Sequence, residues 1–185
     1  MKKDFLAPIF VLLAICVVVT AALAATNYVT APIISAAAEQ RAGGAMVELI
    51  PTATSFAPIE ISDKMAELGI KELYDAMEGD TQLGYIVVSA SAGYKGADSI
   101  ILMVAVDLDL SIINLRTLQN NETTGLGTRV SEPEFESTFI GSNASFADYE
   151  AISGATISSK AYFAAADHAL QACAEVTSSR GGFVS

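Results

Sequence analysis

Histidine occurs once in this sequence, cysteine twice, and basic side chains only 10 times against 21 acidic ones. Each shortage removes a class of chemistry. With His168 as the sole imidazole and no G-x-S-x-G stretch, a Ser-His-acid hydrolase lacks its parts. The carboxylates are scattered and no cysteine or histidine gathers beside them, so no protein-built metal site is indicated. Cys16 falls in an apolar run and Cys173 on the inner stripe of a helical stretch. A disulfide between them is geometrically implausible, and both read as small hydrophobes. Setting aside Lys2, Lys3 and Asp4, the 10 basic and 21 acidic side chains fall to 8 and 20, a net charge of −12. That balance argues against nucleic acid or anionic lipid as a ligand and reads first as a solubilising surface. Internal repeats and low-complexity tracts are also missing.

Charge of either sign is absent from residues 5–38, which concentrates much of the 52% hydrophobic content at one end of the 185-residue chain. Residues 5–25 alone reach the roughly 20 needed for a helix to cross a bilayer. Lys2 and Lys3 precede this run and Glu39 is the first charge after it. The positive-inside bias therefore puts the N-terminus in the cytoplasm and the remaining chain outside the inner (cytoplasmic) membrane. Two processing alternatives compete: a signal peptide cut after Ala22-Leu23-Ala24, and a lipoprotein acylated at Cys16. The apolar run outlasts an ordinary signal core, and Ile15 and the valines around Cys16 do not suit a lipid-acceptor site. A retained anchor over residues 1–34 and one compact domain over residues 35–185 is the simplest partition.

Within that domain, residues 35–49 read as a helical continuation of the anchor. Residues 70–77 and 83–90 flank Glu78-Gly79-Asp80 as a β-hairpin, although the first arm could equally be helical. Residues 99–107 and 110–118 flank Asp107-Leu108-Asp109 as a second hairpin, rich in β-branched side chains. Near the end, Tyr162, Ala165, Ala166, Ala169, Cys173 and Val176 recur at three- and four-residue spacing, one apolar stripe on a helix of about six turns. His168, Gln171 and Glu175 fall on its polar face, and Arg180, Gly181 and Gly182 suit its C-terminus. Strands followed by a glycine loop and a long helix suggest an α+β domain, with helices packed on a twisted antiparallel sheet.

The helix begins at Ser153-Gly154-Ala155-Thr156, followed by Ile157-Ser158-Ser159-Lys160. The first N–H groups of a helix lack internal acceptors and the dipole is positive there, so this turn is a seat for phosphate beside a threonine hydroxyl. An ordinary helix capped by Ser153 or Thr156 is the plainer alternative. Upstream, Gly125 and Gly127 permit close backbone approach within Glu122-Thr123-Thr124-Gly125-Leu126-Gly127, and Thr123 and Thr124 offer hydroxyls. Tyr94, in Gly93-Tyr94-Lys95-Gly96, offers an aromatic face.

Taken together, these blocks resemble the FMN-binding family that includes the G subunit of Rnf-type complexes and the C subunit of sodium-translocating NADH:quinone reductases. That family carries an acidic residue, two variable positions and S/T-G-A-T, and here Glu150 opens the pattern and Thr156 closes it. Its H-x-E-T-P-G-L-G loop corresponds to residues 120–127. The chain departs from the family with Glu150 for aspartate, Asn120 for histidine and Thr124 for proline. Asn120 cannot titrate, so proton handling at that position is not expected.

The resemblance implies that Thr156 is esterified to the phosphate of FMN by a flavin transferase that uses FAD and a divalent metal. It also implies that Ser153, Gly154, Ala155, Glu150, Tyr94 and the loop from Glu122 through Thr123, Thr124, Gly125 and Leu126 to Gly127 surround the flavin. Partners would be the other membrane subunits of an Rnf-type complex, coupling electron flow between ferredoxin and NAD to ion pumping, with lipid around the anchor. A tethered flavoprotein outside such a complex and a pilin-like structural protein are the competing readings. Pro8 and the lack of a glycine cleavage site before Phe5 weigh against the pilin.

Overall fold

The computed structural model describes residues 3–143, 145–146 and 148–181, so Lys2 and Gly182 lie outside the described residues. The chain forms two compact units, Met1–Gly43 and Gly44–Ser185. A single helix, α1, spans Lys3–Leu49 and joins the expected anchor and the expected helix at residues 35–49 into one element. Its stretch Ile9–Thr30 is long and apolar enough to cross a membrane. Thr26 and Thr30 turn their hydroxyls back onto the carbonyls of Ala22 and Thr26, which satisfies both polar groups within the helix.

The second unit is built on a five-stranded antiparallel meander: β1 Ser55–Pro58, β2 Ile70–Glu78, β3 Thr81–Gly93, β4 Gly96–Asp107 and β5 Ile112–Asn120. The arm at residues 70–77, open between helix and strand on sequence grounds, is the strand β2. Strand β1 was not anticipated from the sequence. Two short helices, α2 Asp63–Glu67 and α3 Pro133–Ser137, punctuate the connections, and α4 Thr156–Gly181 closes the chain. The expected α+β architecture is thus observed.

Side-chain alternation divides the sheet into two buried faces. Tyr85, Val87, Leu102, Val104 and Val106 point to one face and share a core with Tyr162, Ala165, Ala166, Ala169 and Cys173 of α4. The run of alanines on that stripe lets the helix axis lie close to the strands. Ile86, Val88, Met103 and Ala105 point the other way and are equally buried. Arg116 shares their face, being in register with Met103, and it forms an ion pair with Glu48 at the end of α1. The buried Ala45, Met46, Leu49 and Ile50 therefore cover the second face.

Edge strand β5 is closed, so it offers no template for pairing. The Ile112 N–H donates to the Ser142 carbonyl, Gly141 N–H donates to the Ile112 carbonyl, and Thr117 N–H donates to Glu136 Oε1 at 3.0 Å. An aromatic cluster anchors the irregular chain beyond β5. The rings of Phe139 and Tyr162 lie 5.1 Å apart, Phe139 and Phe146 4.9 Å, and Phe135 meets Tyr162 edge-on at 5.4 Å. These contacts fix the route by which the chain returns to the start of α4.

Candidate functional site

Helix α4 starts without a side-chain cap. Its first i to i−4 hydrogen bond runs from Ser159 N–H to the Ala155 carbonyl at 2.8 Å, which makes Ala155 the capping position. Neither Ser153 nor Thr156 fills that role. Among the described residues nothing accepts from the N–H groups of Thr156, Ile157 and Ser158. Gly154 sits at φ +80, a left-handed conformation that turns the chain into the helix and that most side chains would strain. Thr156 itself is exposed. Free amide donors, a positive dipole end and an accessible hydroxyl with two small residues before it form a seat that suits a phosphate group.

Ser158 and Ser159 point inward from the same turn and are committed elsewhere. Ser159 Oγ accepts from Ile152 N–H at 3.0 Å. Ser158 Oγ donates to Glu122 Oε2 at 2.6 Å. Glu122 is 3% exposed and also accepts from the backbone N–H groups of Tyr94, at 3.1 Å, and Lys95, at 3.2 Å. Burial pushes its carboxyl pKa up, but bonds from Ser158, Ser99, Lys95 and Tyr94 outweigh that push and hold it below the ordinary value.

The surrounding backbone is shaped to this carboxylate. A Cβ on Gly93 would stand 2.5 Å from Glu122 Oε1, and one on Gly127 would stand 2.6 Å from both Glu122 Cβ and Ser158 Oγ. Asn120, in place of the family's histidine, braces the loop: its amide donates to Ser131 Oγ at 2.7 Å and its oxygen accepts from Glu122 N–H at 3.0 Å. The loop also binds itself, Gly125 N–H donating to Thr128 Oγ1 at 3.0 Å.

These elements wall a cleft of about 440 Å³, inside the roughly 300–1,000 Å³ common for small-molecule sites. Tyr94, Glu122, Thr123, Leu126 and Gly127 line one part, and Gly154, Ala155 and Thr156 line another. Three separate sequence blocks thus meet in one place. Ser153, Glu150, Thr124 and Gly125 do not line it; all four are exposed. Ile157 and Ser158 line the cleft without having been singled out from sequence, because they read as generic first-turn residues. Leu126, Ile157 and Tyr94 are 50%, 54% and 68% exposed, an unusual apolar rim beside a polar seat.

A larger hollow of about 530 Å³ lies over Glu48, Arg116, Thr117 and Glu136. Its polar groups are spent on one another, since Glu136 Oε1 accepts from Thr117 N–H, Thr117 Oγ1 and Tyr162 Oη, and Glu48 pairs with Arg116. Size does not make it the better site. His168, expected on the polar face of α4, is half-buried, with a Nδ1 that has no partner among the described residues.

Residues 93–171, which begin at the Tyr94 turn and run into α4, match the FMN-binding domain family. The G subunit of the proton-translocating ferredoxin:NAD(+) oxidoreductase complex of Clostridium ljungdahlii is 30% identical over 170 residues, covering 86% of this chain and 85% of the relative. The chain belongs to this family of FMN-binding G subunits. The G subunit of the ion-translocating oxidoreductase complex of Methanosarcina acetivorans is 28% identical over 86% of the chain and 89% of its own length. The G subunit of the Na(+)-translocating ferredoxin:NAD(+) oxidoreductase complex of Acetobacterium woodii is 29% identical over 87% of each. The cleft lies wholly inside the part of the chain that matches the FMN-binding domain, so this chain offers its free helix terminus within the segment that defines its family.

Proposed function

We propose that this protein is the electron-carrying G subunit of a membrane-bound, ion-translocating ferredoxin:NAD oxidoreductase of the Rnf type, with FMN covalently held through its phosphate at Thr156 Oγ1. The observation that carries the reading is the exposed Thr156 hydroxyl on an uncapped helix terminus, inside the cleft walled by the Tyr94 turn and the 122–127 loop. FMN supplies the redox chemistry when bound, and the protein supplies orientation and electrostatics.

The N–H groups of Thr156, Ile157 and Ser158 would hold the phosphate, Gly154 and Ala155 would leave room for it, and Leu126, Ile157 and Tyr94 would give the ring an apolar rest. Glu150, Ser153, Thr124 and Gly125 stand outside this contact set. Attachment would take FAD as donor, with a flavin transferase bringing the Thr156 hydroxyl to the flavin-side phosphorus, so that AMP would leave and the hydroxyl proton would be lost. The domain organisation follows as a single-pass anchor over residues 1–34, with an FMN-binding domain over residues 35–185 on the extracytoplasmic side.

The deciding experiment is intact-mass spectrometry of the full chain produced alongside a flavin transferase. Wild type should gain the mass of FMN less water, mapping to the peptide that holds Thr156, and keep a fluorescent band after denaturation. Thr156→Val, close in shape but without the hydroxyl, should lose both while remaining folded. An unmodified wild-type mass, or an adduct on another peptide, overturns the attachment. Purification from native membranes tests the complex, which should bring down iron–sulfur and flavoprotein partners.

A further inference from the structure

We propose that Glu122 is a positioning residue whose carboxylate latches together the three chain segments that wall the flavin cleft. The proposal deepens the reading above and rests on it for the identity of the ligand. Its geometry stands on its own. A buried carboxylate at 3% exposure is costly unless its lone pairs are occupied, and here the donors come from two elements outside the loop that carries Glu122. Tyr94 and Lys95, at the tip of the β3–β4 hairpin, give it two amide hydrogens; Ser158, in the first turn of α4, gives it a hydroxyl. Glu122 itself belongs to the loop that leads into Gly127, and its own N–H is held by Asn120. No other described side chain joins all three. Gly93 and Gly127 pack against it so closely that no Cβ fits at either position.

The latch has two consequences for the site. By accepting from Ser158 it takes that hydroxyl out of competition, leaving Thr156 as the hydroxyl the cleft presents from this turn. By holding two successive amides it fixes the hairpin tip from which the Tyr94 ring, 68% exposed, projects. Glu122 therefore acts through its partners, and its carboxylate already accepts three hydrogen bonds within the protein. The hydrogen bonds that hold its pKa down keep it in the acceptor-only form that these three donors require. Replacing it with glutamine preserves volume but turns one acceptor oxygen into an N–H donor, facing a donor.

The test uses the full chain in detergent, with Glu122→Gln and Ser158→Ala as variants. Hydrogen exchange on protein made without a transferase reads the latch directly. In Glu122→Gln the amides of Tyr94 and Lys95 should exchange at least about tenfold faster, while those of β3 and β4 keep wild-type protection. Supplied with transferase and FAD, the same variant should take up flavin roughly tenfold more slowly, the factor that about 1.4 kcal/mol of lost positioning gives. Ser158→Ala should move in the same direction by less, and the double variant should be no slower than Glu122→Gln alone, because the two residues act as one unit. Unchanged exchange at Tyr94 and Lys95 overturns the latch. Faster exchange spread evenly over the sheet also overturns it, by reducing Glu122 to a general contributor to stability. Local opening with flavin uptake unaffected overturns its role toward the site. A wild-type chain that takes up no flavin would instead sink the attachment reading, and the exchange result would still decide the latch.

Discussion

A carboxylate buried beneath a hairpin tip shows how single residues set the properties of this cleft. Glu122 has a folded-state pKa below the ordinary carboxyl value of 4.5, so folding favours its ionised form. Stability from such a group is fully present above the ordinary value and is lost as pH falls through the lower folded value. Acid should therefore weaken the wild-type domain from near pH 4.5 downward. In Glu122→Gln this contribution is absent at every pH. The variant should melt lower than wild type at neutral pH, and the gap between the two should narrow on acidification, as followed by circular dichroism from about pH 7 to about pH 3. A gap that stays constant would show that folding does not shift the pKa of this carboxyl, and a gap that moves in favour of wild type on acidification would show a carboxyl held neutral in the fold. The other carboxylates titrate in both proteins, so only the difference bears on Glu122.

At the scale of elements, α4 carries both the core stripe and the site, and its two ends are fastened separately. The Arg180 guanidinium reaches Asp75 on β2 through two parallel hydrogen bonds of 2.8 Å, and Glu175, in the same C-terminal part of the helix, ties it to Ser62 and Lys64 of the α2 region. The N-terminal end leans on aromatic rings, with Phe139 fully buried among Phe146, Tyr149 and Tyr162. Phe139→Ala should cost about 3–5 kcal/mol of stability, a cavity in a packed cluster. Because Phe139 lies at the return of the chain toward residue 156, flavin uptake should fall along with the melting temperature. Denaturant unfolding measures the first and intact mass the second. Much of this element was legible in the sequence: the spacing of Tyr162, Ala165, Ala166, Ala169, Cys173 and Val176 marked both the helix and its inner face, and the second hairpin announced itself through β-branched arms around a short polar turn, whereas the first arm of the other hairpin read equally as helix. Strand β1 was not legible, since four residues ending in Pro58 carry no alternation long enough to read. The site was legible where its residues are contiguous, as in Ser153 to Thr156. Ser158 was not, because its meaning depends on Glu122, 36 positions away, and the role of Glu122 depends on amides of residues 94 and 95, whose side chains carry no signal of it.

For the whole molecule, the decisive feature is that the last turns of α1 belong to the second unit. The division falls at Gly43 and Gly44, yet the helix runs on to Leu49, and Ala45, Met46, Leu49 and Ile50 are all buried. Their burial and the Glu48–Arg116 ion pair close the sheet face that carries Ile86, Val88, Met103 and Ala105. Burying a side chain such as Met, Leu or Ile contributes about 1.5–3 kcal/mol. Losing three of them removes an amount comparable with the roughly 5–15 kcal/mol that holds a typical domain folded. A chain beginning at Gly44 should therefore be soluble without detergent and unfold cooperatively, whereas one beginning at Pro51 exposes the second face. Removing only residues 44–50 in addition should lower the melting temperature steeply or cause aggregation, and dye binding to exposed apolar surface should rise. Equal stability of the two truncations would mean that the sheet needs no cover on that side, and that the end of α1 serves only as a connection to the anchor.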